Sequence, residues 1–171
     1  MSVSALIEAK QAWASAYVGL SQEEINSRVR GFTVMVRAIA ESGFLTPETF
    51  AERMDLEPAQ AAELFAGLDA FGMQFDDAGN IVGAALTALE TPHKVRVVGK
   101  QLYAWCALDT LFIPGLLGDT ADIESRCPSS GDAVRLTVSS EEVETAEPSS
   151  TWLSVFLPGA SSRQLGPASP T

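Results

Sequence analysis

The run Tyr103–Gly118 is the most apolar stretch of the chain, yet it spans only 16 residues and holds Asp109 and Pro114. A bilayer crossing needs about 20 predominantly apolar residues. This segment must therefore be buried in a protein core. Its 171 residues allow the chain one ordinary domain, or two small ones that share an interface. Within Leu102-Tyr103-Ala104-Trp105-Cys106-Ala107-Leu108-Asp109-Thr110-Leu111-Phe112-Ile113-Pro114-Gly115, a thiol and a carboxyl stand three residues apart. Packing alone does not call for that pair. Positions i and i+3 share one helix face, with Cβ atoms about 5–6 Å apart, so Cys106 and Asp109 can reach the same small molecule.

Hydrophobic residues make up 46% of the chain and mean hydropathy is +0.13, enough to bury a proper core. The net charge of −11 divides into −7 over residues 1–85 and −4 over residues 86–171. Nucleic-acid binding rests on Lys and Arg neutralising phosphates, so this balance speaks against it. Small molecules or other proteins are the expected partners. Two cysteines, Cys106 and Cys127, are too few for a disulfide-stapled secreted domain. Residues Met1 to Gly19 lack a basic segment followed by an apolar core, so no signal peptide is expected. A cytoplasmic protein with no membrane partner is the expectation.

Leu6, Trp13 and Tyr17 predict an amphipathic helix over Val3–Val18. Ser21 and Glu24 form a capping box, and Val29, Phe32, Val36 and Ile39 carry that next helix to a stop at Gly43. Thr46 caps a third helix with Pro47 at its first position, ending near Met54-Asp55. A fourth starts at Glu57-Pro58 and runs to Phe71, with Ala61, Leu64, Phe65 and Leu68 on its buried side. Met73–Phe75 and Ile81–Val82 then flank a turn at Asp76–Asn80, a strand pair. The last three of these helices followed by the hairpin are the order of a winged helix-turn-helix. The recognition position, Pro58–Phe71, holds Glu63 and Asp69 and no Lys or Arg, whereas DNA-reading helices use such groups. A packing or protein-contact module is the better reading, which leaves a winged-helix regulator as the weakest option.

From Leu86 the pattern changes. His93–Val98, a Gly99-Lys100 turn and Gln101–Ala104 predict a hairpin. Trp105–Leu117 predicts a buried helix kinked or ended near Pro114-Gly115. Thr120–Ser125 and Val134–Val138 are expected strands around a Cys127–Gly131 turn, Trp152–Leu157 a last strand, and Glu141–Glu144 a solvated loop or helix start. The fold class is thus α+β: a three-helix winged-helix-like unit over residues 1–83, then a small mixed sheet with a buried helix over 84–158. The Ser-, Pro- and Gly-rich residues 159–171 are expected to be disordered.

A helix start favours thiolate at Cys106. Desolvation and like charge both favour a protonated Asp109. Together they suit a reaction in which sulfur grips a soft electrophile and the carboxyl protonates a leaving carbon. The plain alternative is a buried cysteine with Asp109 bonded to backbone. His93, the single histidine, reads as a solvated loop residue, and Trp105 as core packing or the wall of an apolar pocket.

The string Tyr103–Pro114 closely resembles the organomercurial (alkylmercury) lyase family. The likeness continues through Gly118, Thr120, Ser125, Cys127, Gly131, Val134–Val138 and Val155–Pro158, and covers roughly Val29 to Pro158. The resemblance implies that Cys106 and Asp109 are catalytic, that Cys106 binds the organomercurial and then mercury, and that Cys127 is structural. The reaction it implies is protonolysis of a carbon–mercury bond, giving a hydrocarbon and mercury(II), in mercury detoxification. Soft mercury favours thiolate ligands, and a nearby acid protonates the carbon. No cofactor is implied beyond mercury(II) as bound product, and a thiol or a mercuric reductase is its implied receiver. Substrate access is expected through an apolar groove between the two halves. The family also uses a second catalytic cysteine downstream of Leu157-Pro158. Here the chain continues as Gly159–Pro167 without one and reads as cut short before it. The second reading is therefore an inactive homologue that only binds mercury through Cys106.

Overall fold

The computed structural model describes residues 21–68 and 72–154. The predicted Val3–Val18 helix, Phe71, Leu157 and the 159–171 tail lie outside the described residues.

Helix α1 (Gln22–Ser42) begins directly after Ser21 and ends before Gly43. Met35, Val36, Ile39 and Ala40 are buried on its inner side, and Phe32 packs partly against the same core. Val29 stays 53% exposed, one turn short of where the core begins. In α2 (Pro47–Met54), Thr46 is the cap as expected, its side chain accepting the Thr49 N–H at 3.1 Å. Asp55 closes this helix in the left-handed region, φ 58°. Helix α3 (Pro58–Gly67) buries Ala61 and Phe65. Leu64, expected on the buried side, is 53% exposed, and Ala61 and Phe65 make the buried stripe. Phe50, Phe65 and Phe75 form a chain of edge-on rings with centroids 5.6 and 5.8 Å apart, a favoured aromatic arrangement. They tie α2, α3 and the first strand together.

The strands are β1 (Gln74–Phe75), β2 (Ile81–Ala84), β3 (Leu86–Thr87), β4 (His93–Val97), β5 (Lys100–Ala104), β6 (Ala121–Arg126), β7 (Ala133–Val138) and β8 (Val143–Glu147). Helix α4 (Ala107–Leu117) lies between β5 and β6 in sequence. All the strands join one antiparallel sheet in the order β1-β2-β3-β5-β4-β6-β7-β8. The α+β class holds, with a larger sheet than expected. The sheet is unbroken at the expected 83/84 division, where β2 crosses it.

Period-two alternation divides the faces. Val95, Val97, Leu102, Ala104, Ala121 and Ile123 point into the core, on the side where α4 packs. On the other face, cross-strand neighbours alternate in charge: Lys94 opposite Glu124, Glu124 opposite Arg135, and Arg135 opposite Glu147. Opposite charges at facing positions support sheet pairing, and this face is wet.

Three local expectations change. The β4–β5 turn is Val98-Gly99, not Gly99-Lys100, because Val97 pairs with Lys100. Both turn residues have positive φ, 52° and 68°, the geometry of a two-residue hairpin turn matched to strand twist. Asp119 supports it, since Oδ2 accepts the Val98 N–H at 2.9 Å. Helix α4 runs through Pro114 to Leu117 and stops at Gly118, φ 66°, whose N–H donates to the Pro114 carbonyl at 2.8 Å. Proline removes one helical hydrogen bond, but Ile113, Pro114 and Leu117 are buried and hold the last turn. The acidic run is the start of edge strand β8, whereas Trp152–Ser154 has no regular structure.

Candidate functional site

The site is built where β5 hands over to α4. After Ala104, the Trp105 N–H donates to the Ala85 carbonyl at 3.0 Å, and its indole Nε1–H donates to Gln74 Oε1 at 3.3 Å. Cys106 then adopts an extended backbone, φ −144° and ψ 166°, as the N-cap of α4. Asp109 is the third helical residue. Its Oδ2 accepts the Cys106 N–H at 3.0 Å, and its own N–H donates to the Cys106 carbonyl at 3.1 Å. The Asp109 N–H also faces the Cys106 sulfur, which with the Oδ2 bond completes a capping box, so the carboxyl group is fixed beside the thiol. The two side chains expected to cooperate are brought together.

Electrostatics at the sulfur run opposite to expectation. Burial around the thiol, the Asp109 charge and a hydrogen bond to the Asp109 side chain push Cys106 from 9.0 up to about 11. The backbone N–H groups of Asp109 and Leu108 pull the other way and lose. A helix start lowers a thiol pKa when its positive end faces the sulfur unopposed. Here Asp109 occupies that end, and the protein around the sulfur displaces water although Cys106 as a whole is exposed. Cys106 is therefore a thiol at neutral pH, not the expected thiolate.

Cys127 lies apart, half-buried in the β6–β7 turn. Its N–H donates to the Asp132 carbonyl at 2.9 Å and its carbonyl accepts the Gly131 N–H at 2.8 Å. Hydrogen bonds from Ser130, then from the Ser129 backbone, lower its thiol pKa. Both cysteines are free.

His93 is not a solvated loop residue. It opens β4, half-buried, with Nδ1 3.0 Å from Ser125 Oγ on the neighbouring strand. Burial lowers its pKa, so the ring is neutral at pH 7. His93 pairs with Ala104 as well as with Ser125, which puts it at the sheet end where α4 starts. It shares the parity of the buried Val95 and Val97, and that period was the available signal. Nothing in the sequence marked Gln74.

Two open concavities lie elsewhere. One, of about 630 Å³, sits on the charged sheet face between Lys94, Asp122, Arg135 and Glu147. The other, of about 270 Å³, lies between Arg37, Glu41, Val98 and Asp119. Neither is lined by Cys106 or Asp109, so neither is the apolar groove expected beside them. Among the described residues no group of three or more His, Cys, Asp and Glu side chains is placed to hold a metal ion. No helix among them is long and apolar enough to cross a membrane.

The MerB family model, described as alkylmercury lyase, matches residues 86–165, the segment that carries Cys106, Asp109 and Cys127. Alkylmercury lyase from Streptomyces lividans is 38% identical over 126 residues, covering 74% of this chain and 58% of that protein. The Staphylococcus epidermidis enzyme is 38% identical over 127 residues, with the same coverage. That of Pseudomonas putida is 49% identical over 90 residues, 53% of this chain and 42% of that one. The chain is thus similar to alkylmercury lyases, and its residues 86–165 match that family's model. It spans about half the length of the curated alkylmercury lyases it matches. The mercury-bound form of MerB2 superposes with a TM-score of 0.62 at 21% identity, over 82% of this chain and 68% of that one. That likeness concerns the fold.

Proposed function

We propose that this chain carries the protonolytic half-site of an alkylmercury lyase, cleaving the carbon–mercury bond of an organomercurial. The observation that carries the reading is the Cys106–Asp109 capping box, which holds the thiol and the carboxyl group against each other. Sulfur displaces a ligand from the organomercurial, forming an S–Hg bond, and the thiol proton passes to Asp109. Asp109 then returns that proton to the mercury-bound carbon. The carbon–mercury bond breaks with its electron pair going to the new C–H bond, a hydrocarbon leaves, and mercury(II) stays on sulfur. A soft thiolate ligand suits mercury, and the acid acts within one helical turn. No cofactor takes part, and a thiol or a mercuric reductase receives the metal.

In the same reading residues 1–83 form a winged-helix-like packing module on a lyase-like core over residues 84–158, Cys127 is structural, and the protein works in the cytoplasm. The absence of Lys and Arg from α3 supports packing over DNA reading.

Hydrocarbon release from phenylmercury under single turnover with excess thiol tests the assignment. Benzene release that disappears in both Cys106→Ser and Asp109→Asn supports it. Stoichiometric mercury uptake with no benzene overturns turnover and leaves capture through Cys106. Full release in either variant overturns the role assigned to that residue.

A further inference from the structure

Three features meet beside the N-cap of α4. Gly83 on β2 faces Gln74 on β1 as its register partner. A Cβ added at Gly83 would stand 2.1 Å from Gln74 Oε1 and 2.9 Å from its Cδ. The Gln74 side chain therefore lies across the space that the missing Cβ leaves open. Its far end meets Trp105, whose indole nitrogen donates to Oε1 at 3.3 Å. An indole N–H only donates, so the amide oxygen is the required end. Trp105 is held a second time through its backbone N–H, by Ala85, which sits at φ 60° one residue past β2. The residue after Trp105 is Cys106.

We propose that Gln74, seated over Gly83, is a positioning residue: it fixes the Trp105 ring and thereby the presentation and dryness of the Cys106 thiol. The two holds on Trp105 come from the β1–β2 hairpin and the residue that follows it, not from α4 or β5. Register across the first strand pair is thus coupled to the reactive end of the helix. The proposal rests on the reading of Cys106 as the mercury-binding thiol, but its test does not need mercury.

The test follows alkylation of Cys106 by iodoacetamide at pH 8, resolved from Cys127 by peptide mass spectrometry. Trp105 emission is followed in parallel, in a chain with Trp13 and Trp152 changed to Phe. Gln74→Met keeps length and apolar bulk but removes the acceptor. Freed of its partner, the ring moves and water reaches the sulfur. Alkylation is expected to rise at least about three-fold, since each unit of thiol pKa changes thiolate about ten-fold, and Trp105 emission shifts to the red. Gly83→Ala, which pushes the Gln74 amide away, should give the same two changes. In a Gln74→Ala background, Gly83→Ala should add nothing, because the space is already vacant. Circular dichroism and a urea midpoint establish that each variant is folded. A folded Gln74→Met or Gly83→Ala chain with unchanged Cys106 rate and Trp105 emission overturns the proposal. So do additive effects of the two positions. A chain whose Cys106 responds as stated but never releases benzene keeps the clamp and refutes the lyase reading.

Discussion

Asp109→Asn separates two jobs of one carboxylate, and they move in opposite directions. Cys106 stands at about 11 against an ordinary 9.0, so its thiolate population at neutral pH is lowered by about a hundred-fold. Burial is the largest cause, and the Asp109 charge comes next. Asparagine removes the charge and leaves the burial. A recovery of about one pKa unit, or about ten-fold in thiolate, is the expected share. The amide oxygen still accepts the Cys106 N–H, so the helix start survives. The fold loses only the favourable charge at a helix N-terminus, about 0.3–1 kcal/mol. Peptide-resolved alkylation of Cys106 from pH 7 to 10 should therefore run about ten-fold faster than in the parent and level off at lower pH. The same variant should release no benzene from phenylmercury, because an amide has no proton to return to carbon. A quicker thiol and a dead reaction in one protein is the signature of this geometry. Alkylation that is unchanged or slower refutes the electrostatic account of the thiol, and surviving release refutes Asp109 as the acid.

Three further outcomes follow from the same structure. Val98 is β-branched and held at φ 52°, so Val98→Asn should stabilise the fold by about 1 kcal/mol, read as a higher urea midpoint; a lower midpoint refutes the turn assignment. Ile113 is fully buried between α4 and the sheet, and Ile113→Ala should cost about 2–5 kcal/mol by the same measurement. His93 has a folded pKa below its ordinary 6.5, so the unfolded chain binds more protons as pH falls through that range. Stability is then lost as pH drops below 6.5 through the lower folded value, and His93→Gln should flatten that loss in thermal melts between pH 7 and 5.

Local signals were readable and distant ones were not. Thr46-Pro47 fixes the start of α2 through contacts within one turn, and the sequence carries all of them. Val95 and Val97 alternate with Lys94 and Arg96, so β4 was legible from its period. Strand β8 was not, because four of its five residues are exposed and only pairing with β7 makes Val143–Glu147 extended. An acidic edge is a known device against unwanted strand pairing, and on paper it has the composition of a loop. The Val98-Gly99 turn was displaced by one residue for a similar reason: Asp119, 21 positions away, accepts the Val98 N–H.

The site divides along the same line. Cys106 and Asp109 meet through a capping box, a contact three residues long, so the sequence could place them together before any sheet was known. Their chemistry is set by groups that the chain brings in from elsewhere. Antiparallel order β3-β5-β4-β6 puts Leu86, Ala104, His93 and Ser125 on neighbouring strands at one sheet end. Helix α4 starts over that end and packs back along β5, β4 and β6. The protein around the sulfur, together with Asp109, outweighs the helix-start effect that the sequence alone suggests. A thiol that stays protonated until a metal arrives is slow toward ordinary electrophiles, since the thiolate is the attacking form. Mercury, by displacing the proton onto an acid already in contact, makes capture and proton loading a single event. The raised thiol pKa is then a working part of the proposed reaction: it supplies the proton that the carbon receives.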